Sequence, residues 1–304
     1  MSILCFFATC EKCVRGGSAH LVDKTLSVGV AQVTPRLGDL PANFAQCERA
    51  MARAREQELD ILIFPELSLT GYHLRDMVST VALRLDSPEM AQLREWSRQV
   101  ALVVGFVEES ADYRFYNVAA YIADGEIHHI HRKVYLPTYG MFDEQRYFAR
   151  GDRIRAFDLP WGRASVLICE DLWHPSTACL AALDRALLII CPSSSPLRGV
   201  STEAVQDDNA RYWELINRAY VETFGVFLVY ANRVGFEDGV GFWGGSEILD
   251  PFGQRLAKGK YYEEDFITAR LSLDAVRRKR IASPLLRDED IDLTINELMR
   301  IRGR

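Results

Sequence analysis

The sequence lacks any apolar run long enough to cross a membrane, because its longest apolar runs have only the length of a β-strand. It also lacks a basic stripe. Its 304 residues carry 36 Lys and Arg against 42 Asp and Glu, a formal net charge of −6, and the one short basic run covers residues 277–280. Nucleic-acid phosphates bind to clustered positive charge. We therefore expect neither a membrane span nor a nucleic-acid partner.

The cysteines lack the regular spacing of a disulfide framework, and their number, seven, is odd. Cys10 and Cys13 form a Cys-x-x-Cys before the first convincing strand. A zinc site there would need a second ligand pair, for which His20 is the only nearby candidate. We interpret the pair as incidental. Free cysteines and the lack of an export signal predict a cytoplasmic protein.

No stretch rich in proline, serine or glycine divides the chain, and no repeat is present. Residues 1–24 precede the first clear pattern and are predicted to be an extension, possibly disordered. Residues 25–304 are predicted to form a single domain, and the apolar content of 48% supports a large core.

Strand-like and helical segments alternate along this domain. We predict strands at 27–33, 61–64, 101–107, 117–123, 126–131, 163–168, 187–191, 226–230, 246–249 and 266–271, and helices near 43–57, 88–99 and 202–224. Asp124-Gly125 suits a tight hairpin turn. Hairpins mixed with crossover helices predict two mixed sheets flanked by helices, a four-layer αββα sandwich of the α/β class.

Cys169 is the most informative residue. It ends the apolar run of residues 164–168 and is followed at once by Glu170 and Asp171. A strand that stops at a thiol and turns into a helix is typical of a nucleophile elbow, where backbone N–H groups of the next turn can hold an oxyanion. The alternative is a structural cysteine, inert and packed.

Two further strand ends carry charged groups. The apolar strand 61–64 runs through Pro65 into Glu66, and Lys133 follows the strand 126–131. Singly, Glu66 could be a helix cap or surface charge, and Lys133 a solvated strand end. Because sites in α/β sheets gather at the carboxyl ends of strands, we expect these two residues to meet Cys169.

These three segments resemble the Glu, Lys and Cys signature blocks of the nitrilase, or carbon–nitrogen hydrolase, superfamily. The resemblance covers residues 26–290, and the blocks occur in the order and spacing of that family. The amino acids of these three blocks are most similar to those of the glutaminase domain of glutamine-dependent NAD synthetases, whereas residues 241–253 look more like the stand-alone amidases. The ATP-using synthetase half has no counterpart in this sequence. The resemblance implies the αββα fold and a homodimer or larger homo-oligomer.

The residue types suit the cleavage of an amide bond. Cys169 would be the nucleophile, and Glu66 would take its proton and deliver it to departing ammonia. Lys133 is too basic for that role, so we expect it to act as a cation that stabilises the oxyanion together with the N–H of Glu170. The resemblance implies that Glu144 supports Lys133. The alternative for Glu144 is a surface acid paired with Arg146.

Substrate contacts are predicted from position. Arg198 follows the strand after Cys169 and could hold a substrate carboxylate, although a surface arginine is an equally ordinary reading. Tyr139 and Trp173 flank the signature blocks and could line the pocket, or belong to the aromatic core. His129 and His131 share one strand face but lack further metal ligands nearby, so we interpret them as polar residues on a solvated strand. We predict neither metal nor cofactor.

The predicted function is that of a cysteine amidohydrolase that releases ammonia from a small linear amide or N-carbamoyl compound through a thioester. A free-standing glutaminase that supplies ammonia to a partner is the alternative enzyme, followed by a nitrilase. A binding protein that kept the fold without catalysis is the rival from another class, but the presence of all three signature residues disfavours it.

Overall fold

The computed structural model describes residues 25–197 and 208–304. Its strands are β1 (Thr25–Gln32), β2 (Ile61–Ile63), β3 (Ala101–Glu109), β4 (Phe115–Ala123), β5 (Glu126–Arg132), β6 (Ala156–Leu159), β7 (Gly162–Val166), β8 (Leu188–Ser193), β9 (Phe227–Asn232), β10 (Val234–Glu237), β11 (Val240–Trp243), β12 (Glu247–Leu249), β13 (Arg255–Lys258) and β14 (Asp265–Ser272). Its helices are α1 (Leu40–Glu56), α2 (Val78–Val81), α3 (Pro88–Trp96), α4 (Glu144–Tyr147), α5 (Glu170–Trp173), α6 (Pro175–Leu183), α7 (Asp208–Phe224), α8 (Leu273–Ala282), α9 (Leu285–Asp288) and α10 (Ile291–Arg302), with a 3₁₀ turn at Arg75–Met77.

Two six-stranded mixed sheets form the centre of the domain. The first has the order β14-β1-β2-β3-β4-β5, and the second has the order β13-β12-β9-β8-β7-β6. In each sheet the three central strands are parallel, β1-β2-β3 and β7-β8-β9, and antiparallel strands complete both sides. The carboxyl ends of the parallel strands are therefore the edge where polar side chains can collect.

Side-chain alternation explains why each sheet is covered on both faces. Ile61 and Ile63 of β2 face the second sheet, in the cluster that contains Val166 and Ile190. Leu62, between them, faces outward into a cluster with Met51 of α1. Alternate residues of a strand point to opposite faces, so a strand that is apolar throughout needs cover on both sides. The predicted four-layer αββα sandwich is confirmed.

The outer helices begin where their sequences supply caps. The side chain of Asp39 accepts the N–H of Ala42 at 3.0 Å at the start of α1. Ser87 caps α3, whose first residue is Pro88. Both arrangements satisfy N–H groups that a helix start leaves unpaired. None of the helices formed by the described residues is long and apolar enough to span a bilayer.

All ten predicted strands and the three predicted helices are present, with shifted ends, and the described part of the third helix begins at Asp208. The turn at Asp124-Gly125 has positive φ at both residues, as a tight hairpin requires. Four strands were missed: β6, β10, β11 and β13. They are four residues long and contain glycine, charge or exposed edges, so they carry little apolar alternation.

Gly105 allows the segment after β2 to pass close to β3. A Cβ at this position would lie 2.5 Å from the backbone nitrogen of Leu67 and 2.7 Å from the carbonyl oxygen of Pro65. The N–H of Leu69 also donates to the Gly105 carbonyl at 3.1 Å. A larger residue at 105 would therefore push away the segment that carries Glu66.

We predict that Gly105→Ala destabilises the domain by about 1–3 kcal/mol, the usual cost of an overpacked site. Urea denaturation would measure the change. Gly303→Ala is the matched control, because a Cβ there would meet its nearest atom at an ordinary 3.5 Å. Equal stability of Gly105→Ala and the control would contradict the close approach.

Candidate active site

Cys169 lies on a tight turn between β7 and α5. Its N–H donates to the Pro192 carbonyl at 2.9 Å, and α5 begins at Glu170. Its backbone has φ 44° and ψ −102°, a conformation that costs a non-glycine residue about 1–3 kcal/mol. The residue is 8% exposed. The turn is therefore a strained elbow that presents the sulfur at the carboxyl end of β7, as expected for a nucleophile elbow.

Glu66 follows β2 and is buried, with 1% of its surface exposed. One carboxylate oxygen, Oε1, accepts hydrogen bonds from Lys133 Nζ at 2.7 Å and from Asn117 Nδ2 at 2.8 Å. The other oxygen, Oε2, accepts the backbone N–H of Ser194 at 2.8 Å. Three donors therefore hold this carboxylate in one orientation.

Two consecutive serines at the end of β8 join the thiol to this carboxylate. The Ser193 hydroxyl donates to Cys169 Sγ at 3.2 Å, and the next residue, Ser194, donates its N–H to Glu66. The Ser194 hydroxyl also donates to the Glu66 carbonyl at 2.9 Å. The structure thus brings Glu66, Lys133 and Cys169, which are far apart in the sequence, into one buried cluster.

Lys133 and Glu144 form the other side of this cluster. Lys133 Nζ donates to Glu144 Oε1 at 2.7 Å as well as to Glu66, and the Tyr72 hydroxyl donates to the same oxygen of Glu144. Glu144 is 4% exposed, so it is not a surface acid. Arg146 lies nearest to Asp143 instead, at 3.9 Å. Lys133 is therefore an ammonium bound between two buried carboxylates.

Asp171 ties the elbow to the segment that carries Lys133. One of its oxygens accepts the N–H groups of Val134 and Tyr135 at 3.0 and 2.9 Å, and the other accepts the N–H of Ile168 at 3.0 Å and lies 2.7 Å from His131 Nε2. The carboxylate is completely buried. It is a positioning group that links two of the signature segments.

The histidine prediction was wrong for His131. This side chain is 3% exposed and contacts Asp171, and His129 stacks on Phe157 with ring centroids 4.3 Å apart. The reason is that β5, although an edge strand of its sheet, meets the second sheet's side of the sandwich: His129 contacts Phe157 of β6, and His131 contacts Asp171 of α5. Within residues 25–197 and 208–304, no group of three or more His, Cys, Asp or Glu side chains is placed to hold a metal.

Glu170 and Tyr139 stand beside the elbow. The Tyr139 hydroxyl donates to both oxygens of the Glu170 carboxylate, at 3.1 and 3.0 Å. Both residues line a cavity of about 590 Å³. A second cavity, of about 310 Å³, is lined by Tyr72 and Glu144. The N–H of Glu170, the first of α5, has no acceptor in the described ranges, so it is available to a ligand atom.

The substrate contacts predicted for Trp173 and Arg198 stay predictions. Trp173, at the end of α5, stacks on Tyr212 with centroids 4.4 Å apart and meets Trp213 edge-on at 5.7 Å, so it packs against α7. Arg198 lies outside the described residues, as do Cys10 and Cys13.

Comparison with known proteins agrees with this arrangement. Residues 27–281 match the family described as carbon-nitrogen hydrolase. The chain belongs to this family. As a carbon–nitrogen hydrolase it acts on C–N bonds, and its nitrilase-superfamily fold agrees with the sandwich seen here.

The relatives of this carbon–nitrogen hydrolase fall into two groups. It is 35% identical over 266 residues to a glutamine-dependent NAD(+) synthetase from Thermotoga maritima, a match that covers 86% of this chain and 44% of that protein. The synthetase of Acinetobacter baumannii superposes with a TM-score of 0.73 at 28% identity, covering 83% of this chain and 47% of that chain. The chain therefore spans about half the length of these synthetases.

The second group consists of solved structures that this chain matches over nearly their whole length, one of them an amidase. The NitN amidase of Neterenkonia sp. AN1 superposes with a TM-score of 0.75 at 26% identity, covering 89% of this chain and 99% of that chain. A carbon–nitrogen hydrolase from Helicobacter pylori superposes with a TM-score of 0.76 at 23% identity, covering 90% of this chain and 99% of that chain, and shares the fold.

Burial and charge set the protonation states of the cluster in this carbon–nitrogen hydrolase. Burial raises the pKa of the Cys169 thiol well above its ordinary value. The Glu66 carboxylate raises this pKa further, and the Lys133 ammonium offsets part of the rise. Burial lowers the pKa of Lys133, but the Glu144 and Glu66 carboxylates outweigh burial and hold the pKa well above its ordinary value. At neutral pH the sulfur is a thiol and the lysine an ammonium.

Several residues of the cluster carried no prediction from the sequence. They are Tyr72, Asn117, Asp171, Ser193 and Ser194. The available signal was that each is a polar residue inside or just beyond a predicted buried strand, or within a signature block. Polar groups in such places need partners, because an unpaired buried polar group costs about 1–3 kcal/mol.

Glu144 gives the cluster a pH signature that stability measurements can detect. Burial, partly offset by Lys133, raises its folded pKa to about 7, above the ordinary 4.5. A raised pKa means that the stability contribution of Glu144 is fully present below pH 4.5 and is lost as the pH rises through 7. Relative to Glu144→Gln, the free energy of unfolding of the wild type should therefore fall across this interval.

Urea denaturation at several pH values would measure the difference. Glu222→Gln is the control, because the Glu222 side chain is 42% exposed and pairs with Arg218 at the surface. A constant difference between wild type and Glu144→Gln over the interval would show that the carboxyl does not titrate there.

Proposed function

We propose that this carbon–nitrogen hydrolase is a cysteine-dependent amidohydrolase that releases ammonia from a small linear amide or N-carbamoyl compound through a thioester. The observation that carries the proposal is the cluster itself. A thiol on a strained elbow is connected through Ser193-Ser194 to the buried pair of Glu66 and Lys133. Nucleophile, proton carrier and cation are the groups that amide cleavage needs.

The first half-reaction starts with the proton of the thiol. Because burial raises the pKa of Cys169, the thiol loses its proton only when an acceptor is at hand, and Glu66 is that acceptor. The sulfur attacks the amide carbonyl carbon and forms a C–S bond. Glu66 then delivers the same proton to the amide nitrogen, the C–N bond breaks, and ammonia leaves a thioester on Cys169.

The developing oxyanion needs donors that are already in place. Lys133 supplies an ammonium whose position is fixed by two carboxylates, and Glu170 supplies a backbone N–H at the start of α5. Fixed donors need no reorganisation during the reaction, and the loss of one such donor typically lowers kcat by about 10²–10³.

The second half-reaction returns the enzyme to its starting state. Glu66 takes a proton from water, and the resulting hydroxide attacks the thioester carbonyl. The C–S bond breaks as the proton returns to the sulfur, which releases a carboxylic acid and regenerates the thiol. For an N-carbamoyl substrate the same steps release ammonia and a carbamate.

We predict that Cys169→Ala, Lys133→Ala and Glu66→Gln each lower kcat by at least about 10³-fold in an ammonia-release assay with short ω-amides, N-carbamoyl amino acids, glutamine and nitriles. Cys179→Ala is the matched control, because this half-buried cysteine lies on α6. Mass spectrometry of the quenched wild type should show an acyl group on Cys169. Wild-type rates in any of the three variants would remove that residue from the mechanism.

A second candidate is glutamine as the substrate. The similarity to the glutamine-dependent NAD(+) synthetase of Thermotoga maritima supports it. So does the Glu170 carboxylate, which lies one residue from the nucleophile in a cavity with Tyr139. A carboxylate there attracts the ammonium group of an amino-acid amide and gives a simple neutral amide no advantage.

Substitution of Glu170 would distinguish the two substrates. If an amino-acid amide is the substrate, Glu170→Gln should raise the KM for glutamine about 10–100-fold, the value of one charged hydrogen bond, and leave the KM for propionamide unchanged. The backbone N–H at 170 is retained in this variant. Glu297→Gln on α10 is the control. Equal effects on both amides would favour the simple amide substrate.

A further inference from the structure

A separate pocket lies behind the Lys133 segment, where the edge strands of the two sheets meet. Its volume is about 510 Å³, within the usual range for small-molecule sites. His129 of β5, stacked on Phe157 of β6, is one of the residues that line it. Residues 150–153 and 155, in the segment that leads to β6, cross its rim.

The pocket concentrates positive charge in a protein of net charge −6. Five arginines line it against two carboxylates, an excess of three positive charges. Three of the arginines are already neutralised. The pairs are Arg132 with Glu108 at 2.7 Å, Arg153 with Asp152 at 3.3 Å, and Arg114 with Asp112 at 3.0 Å. The remaining excess is carried by Arg150 and Arg155.

These two arginines have no carboxylate partner in the described part of the chain. Arg150 donates its Nε to the Val134 carbonyl at 2.8 Å and lies over the Tyr135 ring, and Arg155 makes no ion pair there. His129 Nε2 is also buried without a hydrogen-bond partner among these residues. Two arginines that line one cavity without a carboxylate partner among the described residues favour an anion there, because charged hydrogen bonds to a fixed acceptor are strong.

We propose that this pocket binds a phosphorylated small molecule, with Arg150 and Arg155 on the phosphate oxygens and the His129 ring beside them. Guanidinium groups match the geometry of phosphate oxygens and bind two of them at once. The volume exceeds that of one phosphate group, so the ligand has room for a second phosphate or an organic part. This site is distinct from the cluster around Cys169.

A ligand in this pocket would touch the backbone that positions Lys133. Arg132 of the pocket precedes Lys133 in the chain, and the N–H of Gly151, also in the pocket, donates to the Lys133 carbonyl at 2.8 Å. His131 connects the pocket to Asp171 at 2.7 Å and so to the elbow. We therefore expect occupancy of the pocket to change kcat. This effect on kcat rests on the proposed function, whereas binding of the ligand does not depend on that function.

Isothermal titration calorimetry of the full chain with pyrophosphate and with fructose 1,6-bisphosphate would test binding at constant ionic strength. We expect saturable binding of at least one probe at one site, and at least a tenfold weaker affinity in Arg155→Gln. Arg277→Gln on α8, an exposed arginine near Asp274, is the charge-matched control. Preference for the bisphosphate would identify an organic phosphate, and preference for pyrophosphate an inorganic one.

The pKa of the His129 imidazole reports binding in the pocket, because nonspecific attraction of an anion to the protein surface would leave this pKa unchanged. Burial, together with His131 and Arg155, lowers its pKa to about 4. A bound anion favours the imidazolium, so NMR titration should show this pKa rising when the probe binds, with the resonance assigned through His129→Gln. Lack of saturable binding, equal weakening in Arg155→Gln and Arg277→Gln, or an unchanged His129 pKa at saturation would each overturn the proposal.

Discussion

The buried ammonium of Lys133 between the carboxylates of Glu66 and Glu144 is the interaction on which this structure depends. Both distances are 2.7 Å, and all three groups are almost completely removed from solvent. Removing charge from water is costly unless close partners replace the hydration, so none of the three could be buried alone. The arrangement therefore requires the segments that follow β2 and β5 and the start of α4 to meet at one point.

The surrounding polar groups hold this point in place. Asp171 connects the Cys169 elbow to the backbone after Lys133 by hydrogen bonds. Ser193 and Ser194 connect the same elbow to Glu66. Gly105 lets the Glu66 segment lie directly on β3. Each is a backbone or side-chain contact from a helix or strand or from the end of one, and such elements fix side chains better than a mobile loop would.

The segment after β5 faces two environments. On one side, Lys133 lies in the cluster and Tyr139 contacts Glu170 at the elbow. On the other side, the arginine-lined pocket contacts the backbone through Gly151 and His131. A single stretch of backbone between a reaction centre and an anion pocket is a physical route by which a second ligand can alter the position of an ammonium.

The sequence by itself determined the strand and helix order, the αββα class, and the presence of a thiol, a carboxylate and an ammonium at strand ends, because these follow from local alternation and from which residue comes next in the chain. It could not determine that His131 is buried rather than solvated, that Asn117 and Ser194 hold Glu66, or that Arg150 and Arg155 share one cavity. Those outcomes depend on which strand edges of two separate sheets lie against each other. The contacts of His131 and Glu66 join residues far apart in the chain, and the two arginines, although close in the chain, line a cavity whose other residues come from distant segments, so only the tertiary structure decided these outcomes.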